Sequence, residues 1–299
     1  MKISIQDLKT PRQWRSALGC DAHHFAQLLL VFRRAYEAIN EMQLADRMVI
    51  HPAGTRMKDE EDLLFFTLFS CKSGLIYDVL GLVCGLDEAT AKRRQDEGLA
   101  VLREALRLAH CLPEREFQSP AELQRYFSKR RAVLLDATEF ATQRPQEKAT
   151  QKAQYSGKKK RHTLKALILA DAQRNLIYVG RLVPGAMHDF ALLKKQFPPN
   201  EPWFSGLTVR LDSGFQGFDK TYACEKLFLP TKKPRGGQLT KNKKFRNTQQ
   251  ARKRVVVEHS IGGLKRYRIL SDRLRMHNLE QFDVALEVCA GLWNFCLTH

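Results

Sequence analysis

The sequence predicts an α/β protein in which an all-α region precedes a mixed five-stranded sheet with flanking helices. Three observations lead there. Helical periodicity and helix caps fill the chain up to residue 129. From residue 131 the period changes to short apolar runs. Two of those runs end on an acid, Asp136 and Asp212, and a third acid, Glu258, lies on a late helix.

Thr10-Pro11-Arg12-Gln13 has the form of an N-cap, a proline at the first helical position and a capping-box glutamine. A longer amphipathic helix is predicted from Asp21 to Met42, with Phe25, Leu28, Leu29, Phe32, Ala35 and Ile39 on one side, closed by the turn-rich His51-Pro-Ala-Gly54. Helices from Asp59 to Phe69 and from Leu75 to Val83, the tight Cys84-Gly85-Leu86, and a third helix opening at Asp87 follow. This is the layout of a helix-turn-helix, whose second helix enters the DNA major groove. Its exposed face would carry Lys92, Arg93, Arg94 and Gln95; an ordinary helical hairpin is the bland alternative. Ser119-Pro120-Ala121-Glu122 caps another helix to Lys129.

Ala132 to Ala137 reads as a buried strand with Asp136 at its tip and Glu139 beyond its end. After the basic loop Tyr155 to His162, strands at Leu164 to Ala170 and Leu176 to Val183 complete an antiparallel meander. Pro184-Gly185 breaks it, and His188-Asp189 open a helix through Phe197, which the bland alternative treats as a simple cap. Leu207 to Asp212 is the fourth strand, Ser213 to Gly217 a turn, and Leu227 to Leu229 the fifth strand after a short helix. A basic loop with Pro234-Arg-Gly-Gly237 leads to the helix of Glu258. There Arg254, Glu258, Gly262 and Lys265 share one face beside the stripe Val257, Ile261 and Leu264. Three consecutive valines and Gly262-Gly263 oppose helix there, and taken alone Glu258 is an ordinary solvated residue. A final helix begins at Leu279, with Trp293 and Phe295 in core or dimer packing.

The predicted domains are 1–55, an N-terminal helical region; 56–118, the helix-turn-helix region; 119–270, the catalytic domain; and 271–299, the last helix. The order of three strands, helix, strand, helix, strand, helix is that of an RNase H-like fold. In it strands one and four are neighbours and the last helix packs across them. Three carboxylates would then crowd together, which requires raised pKa values or cations between them. Hard divalent cations are the natural partners.

Charge points to a polyanion. The formal net charge is +18, and it is concentrated: Arg144 to Lys165 holds eight Lys/Arg against one acid, and Thr231 to Arg275 fifteen against two. The remainder is close to neutral, so the cationic windows read as a nucleic-acid footprint. Composition is that of a globular protein, with 43% hydrophobic residues. Apolar runs are far shorter than the roughly 20 residues of a membrane span, and no signal peptide is evident, so a cytoplasmic protein, nucleoid-associated through DNA, is expected. Seven cysteines without zinc-like spacing read as reduced thiols.

Six passages carry a resemblance: Leu134-Leu-Asp136-Ala-Thr-Glu139, Tyr155-Ser-Gly-Lys-Lys-Lys-Arg-His-Thr-Leu-Lys165, Pro184-Gly-Ala-Met-His-Asp189, Leu211-Asp212-Ser-Gly-Phe-Gln-Gly217, Lys233-Pro-Arg-Gly-Gly237 and Val256-Val-Glu258-His. In this order they resemble DDE transposases, within them the insertion-sequence family five type, which is similar to Harbinger-type endonucleases. The resemblance covers residues 130 to 270 and, more loosely, the helical N-terminal half. It implies that Asp136, Asp212 and Glu258 are catalytic and hold two Mg²⁺ ions, with Mn²⁺ able to substitute. It also implies cleavage at insertion-sequence ends by water, then attack of the freed 3′-hydroxyl on target DNA. Such proteins often show Tyr, Arg, Glu and Lys at fixed spacings; Arg254-x3-Glu258-x6-Lys265 keeps the last three, and Ala251 stands in place of the Tyr.

Expected DNA-binding residues are Lys92, Arg93, Arg94, Lys158, Lys159, Lys160, Arg161, Lys232, Lys233, Arg235, Arg254, Lys265 and Arg266. Glu139, His162, His188 and Asp189 are accessory candidates. The expected partner is double-stranded DNA, both element ends with inverted repeats and target, bound by a homodimer or higher homo-oligomer. Two rival functions remain: a transposase-derived regulator that binds DNA without cutting, and another RNase H-like structure-specific endonuclease. The intact acid triad argues against the first.

Overall fold

A computed structural model of the chain describes residues 2–50, 57–127, 132–234, 236–272 and 279–299. The predicted turn at His51 to Gly54 and the candidate Arg235 lie outside the described residues. The chain divides into two compact units, Met1–Leu112 with Leu264–His299, and Pro113–Gly263. No helix of the described residues is long and apolar enough to cross a membrane.

The first unit opens with a 3-10 turn at Ile5–Asp7, then α1 (Pro11–Ala17), α2 (Ala22–Asn40), α3 (Leu44–Ile50), α4 (Glu60–Ser73), α5 (Tyr77–Cys84) and α6 (Glu88–Leu108). Local chemistry starts and stops these helices. Thr10 and Gln13 close a reciprocal capping box, with Gln13 N donating to Thr10 Oγ1 at 3.2 Å and Thr10 N to Gln13 Oε1 at 2.9 Å. Asp21, Asp59 and Asp87 each accept from the backbone N–H three residues on. The turn between α5 and α6 is tight because Gly85 adopts φ +74°, a left-handed conformation costly for other residues.

Phe25, Leu28, Leu29, Phe32 and Ala35 are buried on α2 as periodicity predicts, whereas Ile39, a turn beyond, is 48% exposed. Gln95, expected on the solvent face of α6, is instead buried and accepts from Tyr77 Oη at 2.8 Å, a polar pair between α5 and α6 that spacing alone does not announce. The chain returns to this unit through α12 (Arg268–Ser271) and α13 (Leu279–Thr298). Phe295 is buried on α13, Asn294 donates to Cys111 O at 3.0 Å, and Glu287 pairs with Arg103. The seven cysteines stand as free thiols.

The second unit contains α7 (Pro120–Phe127), β1 (Ala132–Ala141), α8 (Lys148–Gln154), β2 (Tyr155–Ser156), β3 (Arg161–Ala170), β4 (Leu176–Val179), β5 (Val183–Pro184), α9 (Asp189–Gln196), β6 (Thr208–Arg210), α10 (Phe218–Thr221), β7 (Lys226–Phe228) and, up to Gly263, α11 (Lys241–Lys265). β1 pairs antiparallel with β3, whose other edge carries β2, β5 and β4. β6 runs parallel to β1 on its free edge, and β7 parallel to β6. The first and fourth predicted strands are therefore neighbours in a mixed sheet.

Three expectations change here. β1 does not stop near Asp136: its antiparallel ladder with the ten-residue β3 continues to Ala141↔Thr163, so Glu139 lies inside the strand, opposite Lys165. The predicted third strand divides into β4 and β5 around Gly180, whose N–H reaches Leu167 O. The expected basic loop holds a hairpin between β2 and β3, preceded by α8, a short polar helix with no buried residue and hence no apolar period to reveal it. The triple valine and the glycine pair do not interrupt α11. Burial of Val257, Ser260 and Leu264 outweighs propensity costs of up to about 1 kcal/mol per glycine.

An aromatic cluster backs the sheet. The Phe197 ring lies 5.2 Å from Trp203, 5.3 Å from Tyr178 and 5.6 Å from Phe204, and it is 1% exposed. Phe197→Ala should lower unfolding free energy by about 3–5 kcal/mol. Urea unfolding measures it, and a loss below about 1 kcal/mol would show the ring is not packed this way.

Candidate active site

Register brings two of the acids together. The last parallel pair between β1 and β6 is Leu134↔Arg210. Asp136 and Asp212 each stand two residues further, on the same side of their strands as that pair, at the carboxyl end of the parallel ladder. Asp136 Oδ1 accepts from Ala137 N at 2.8 Å; Asp212 Oδ1 caps the following 3-10 turn, accepting from Gly214 N at 2.7 Å. Burial pushes the Asp136 carboxyl up to about 6; the Arg254 guanidinium and the Ala137 N–H pull it down, while the charges of Asp212 and Asp189 raise it.

Asp189 joins this end of the sheet from the first turn of α9, which His188 caps by accepting from Phe190 N at 3.3 Å. Gly214 shows how close the carboxylates come. A Cβ there would lie 2.8 Å from both Asp189 Oδ2 and Asp212 Oδ1, so the two oxygens are no further apart than twice that distance. Only glycine leaves this cradle open. Lys165, a residue the sequence did not single out, is 6% exposed and donates to Asp189 Oδ1 and to Met187 O, both at 2.7 Å. Glu139 lies 3.8 Å from the same ammonium and accepts from Thr163 Oγ1 at 2.9 Å. Three residues from Asp136 along a strand, Glu139 points to the opposite face of the sheet. A lysine inside an otherwise apolar strand was the available clue to Lys165.

Glu258 is exposed on α11, one turn beyond Arg254 on the same helix face, about 6 Å along the axis. Arg254 itself, expected on DNA, faces a carboxylate: its Nη2 is 3.3 Å from Asp136 Oδ2, and its side chain is 13% exposed. Lys158, Lys159, Lys160 and Arg161 are exposed at the β2–β3 hairpin tip, where Lys160 takes φ +53°. His162 is half-buried with its ring 5.6 Å from Tyr155. Lys232 and Lys233 are exposed. In the first unit Lys92 and Arg93 are exposed, Arg94 is tied to Glu97 at 2.5 Å, and Lys265 is half-buried. Arg266, expected on DNA, is half-buried, with its guanidinium 5.4 Å from the Trp293 ring and 5.5 Å from that of Tyr267.

The donor set suits a hard divalent cation. It consists of the strongly desolvated carboxylate of Asp136, which feels the charges of Asp212 and Asp189, and of the Asp189 and Asp212 oxygens beside a cradle that a methyl group would fill. Among the described residues no three His, Cys, Asp or Glu side chains converge closely enough to hold an ion. The guanidinium of Arg254 neutralises Asp136 in this geometry.

Comparison with known proteins agrees with this chemistry. Residues 135–294 match the family model of the DDE superfamily endonucleases. The chain is 30% identical over 279 residues, 92% of its own length and 94% of the relative's, to a probable transposase for insertion sequence element IS702 from Microchaete diplosiphon. No solved structure matches. Enzymes of this superfamily generally use divalent metal ions and act on DNA. The chain belongs to the DDE superfamily endonucleases, as a DDE transposase.

Proposed function

We propose that this protein cuts DNA at the ends of an insertion sequence and joins the freed ends to target DNA, using Asp136, Asp212 and Glu258 with two Mg²⁺ ions, which Mn²⁺ can replace. The observation that carries this is that Asp136 and Asp212 each stand two residues beyond the last parallel pair of β1 and β6, with the helix of Glu258 reaching Asp136 through Arg254. A meander followed by two parallel strands supports an RNase H-like arrangement of the sheet. Bound cations would lower the barrier to attack on a phosphodiester by activating the entering oxygen and stabilising the leaving one. The protein's own part is to hold the carboxylates near the end of the parallel ladder and to present cationic side chains to DNA phosphates. The Lys158 to Arg161 tip and Lys232-Lys233 serve the second role, with Arg254 released to phosphate when cations neutralise Asp136. The test is incubation of the protein with labelled DNA carrying the sequences that flank its gene: Mg²⁺-dependent nicks at the repeat boundary are expected, and uncut ends under saturating binding would favour the non-cutting regulator.

The order of α4, α5 and α6 and the exposure of Lys92 and Arg93 on α6 support a helix-turn-helix in which these two residues read the element ends. Replacing both by Ala should weaken binding to end DNA by about 1–3 kcal/mol for each base edge no longer read and leave cleavage of a pre-nicked end intact. Loss of cleavage with unchanged binding would remove them from recognition. The assembly on paired ends is proposed to be a homodimer or larger.

A further inference from the structure

We infer that Asp189 is a further carboxylate of the cation site and that Lys165 is the positioning residue that presents it. The inference rests on the proposal that Asp136 and Asp212 hold cations.

The geometry is specific to one oxygen. Lys165 engages Asp189 Oδ1 at 2.7 Å, which leaves Oδ2 as the atom directed at the Gly214 cradle beside Asp212. The same ammonium holds Met187 O at 2.7 Å, so it fixes both the backbone before α9 and the side chain that opens it. A buried ammonium is costly unless paired, and this one sits in a strand whose neighbours Leu164 and Ala166 are apolar. Within the sheet, Glu139 stands opposite it in register, so β1 and β3 both contribute to the clamp. Helix capping alone does not need it, because His188 already caps α9 through its ring nitrogen. Lys165 instead delivers an aspartate from α9 to the end of the parallel ladder beside Asp212. Partners of this kind orient charged oxygens around a metal, and losing one typically weakens metal affinity tenfold to a hundredfold.

Mn²⁺ alone, titrated into the full chain without DNA and followed by the electron paramagnetic resonance of the free ion, tests this. Asp136→Asn should lose binding, which tests the underlying proposal. Asp189→Asn, which keeps an oxygen for Lys165, and Lys165→Met, which keeps the stem but removes the charge, should each raise the Mn²⁺ dissociation constant about tenfold or more. The double variant should bind no more weakly than the weaker single one, because the two residues act as a unit. Melting temperatures without metal separate positioning from folding: Asp189→Asn, in which Lys165 keeps the amide oxygen and has Glu139 3.8 Å away, should still unfold cooperatively, at a lower temperature than the wild type, while binding Mn²⁺ less tightly. If Lys165→Met does not fold, Asp189→Asn decides the matter by itself. Wild-type Mn²⁺ affinity in Asp189→Asn, with binding lost in Asp136→Asn, overturns the role of Asp189 and leaves the cation site standing. Wild-type affinity in Asp136→Asn overturns both.

Discussion

Asp136→Asn, Asp212→Asn and Glu258→Gln should each reduce strand cleavage by three or more orders of magnitude while DNA binding persists. Each change keeps shape and removes one charge that holds the cations. Metal activation is worth several kcal/mol of barrier, and about 1.4 kcal/mol is a decade in rate. Binding should hold or tighten, because less negative charge faces the phosphates. Asp219→Asn, on the exposed surface of α10, is the control. Near-normal cleavage in any one variant would strike that residue from the site; in all three, it would remove the proposed chemistry.

Asp136 adds a stability signature. Its carboxyl is raised in the folded protein to about 6, so the folded state holds the proton more tightly than the unfolded chain. The stabilising effect of the protonated form is complete below about pH 4 and is lost as pH rises through about 6. Metal-free Asp136→Asn should therefore melt above the wild type at neutral pH and match it near pH 4. Added Mg²⁺ or Mn²⁺ should raise the melting temperature of the wild type and not of this variant.

DNA affinity should fall steeply with salt. Each phosphate neutralised by Lys or Arg releases counterions and adds about −0.9 to the slope of log K against log salt. The hairpin tip, Lys232-Lys233 and the exposed Lys241, Lys243, Lys244, Arg246, Arg252 and Lys253 of α11 supply enough cations to neutralise roughly six to ten phosphates, on the order of a 10³- to 10⁵-fold loss between about 50 and 200 mM salt. Replacing Lys158, Lys159 and Lys160 by Ala should flatten the slope by about 3 units, because three phosphates then keep their counterions. Fluorescence anisotropy on duplex DNA measures both. A slope near zero would rule out these surfaces as the phosphate-binding ones.

The sequence by itself determined the features governed by neighbours in the chain. Thr10 with Gln13, and Asp21, Asp59 and Asp87, bond to N–H groups three residues away, and Gly85 turns the backbone locally, so their roles follow from spacing. Apolar periodicity placed the meander and the two later strands, but it put Asp136 at the tip of a strand that runs on to Ala141. Only tertiary structure decided what depends on distant partners. The length of β1, and so the place of Glu139, is set by β3. Gln95 turns inward because Tyr77 is there to bond it, and Arg254 meets Asp136 from 118 residues away. Lys165 is an ordinary lysine in the sequence and becomes a buried clamp only because the fold surrounds it with Glu139, Met187 O and Asp189. A buried charge takes its function from the groups that replace its water, and those groups lie far apart in the chain.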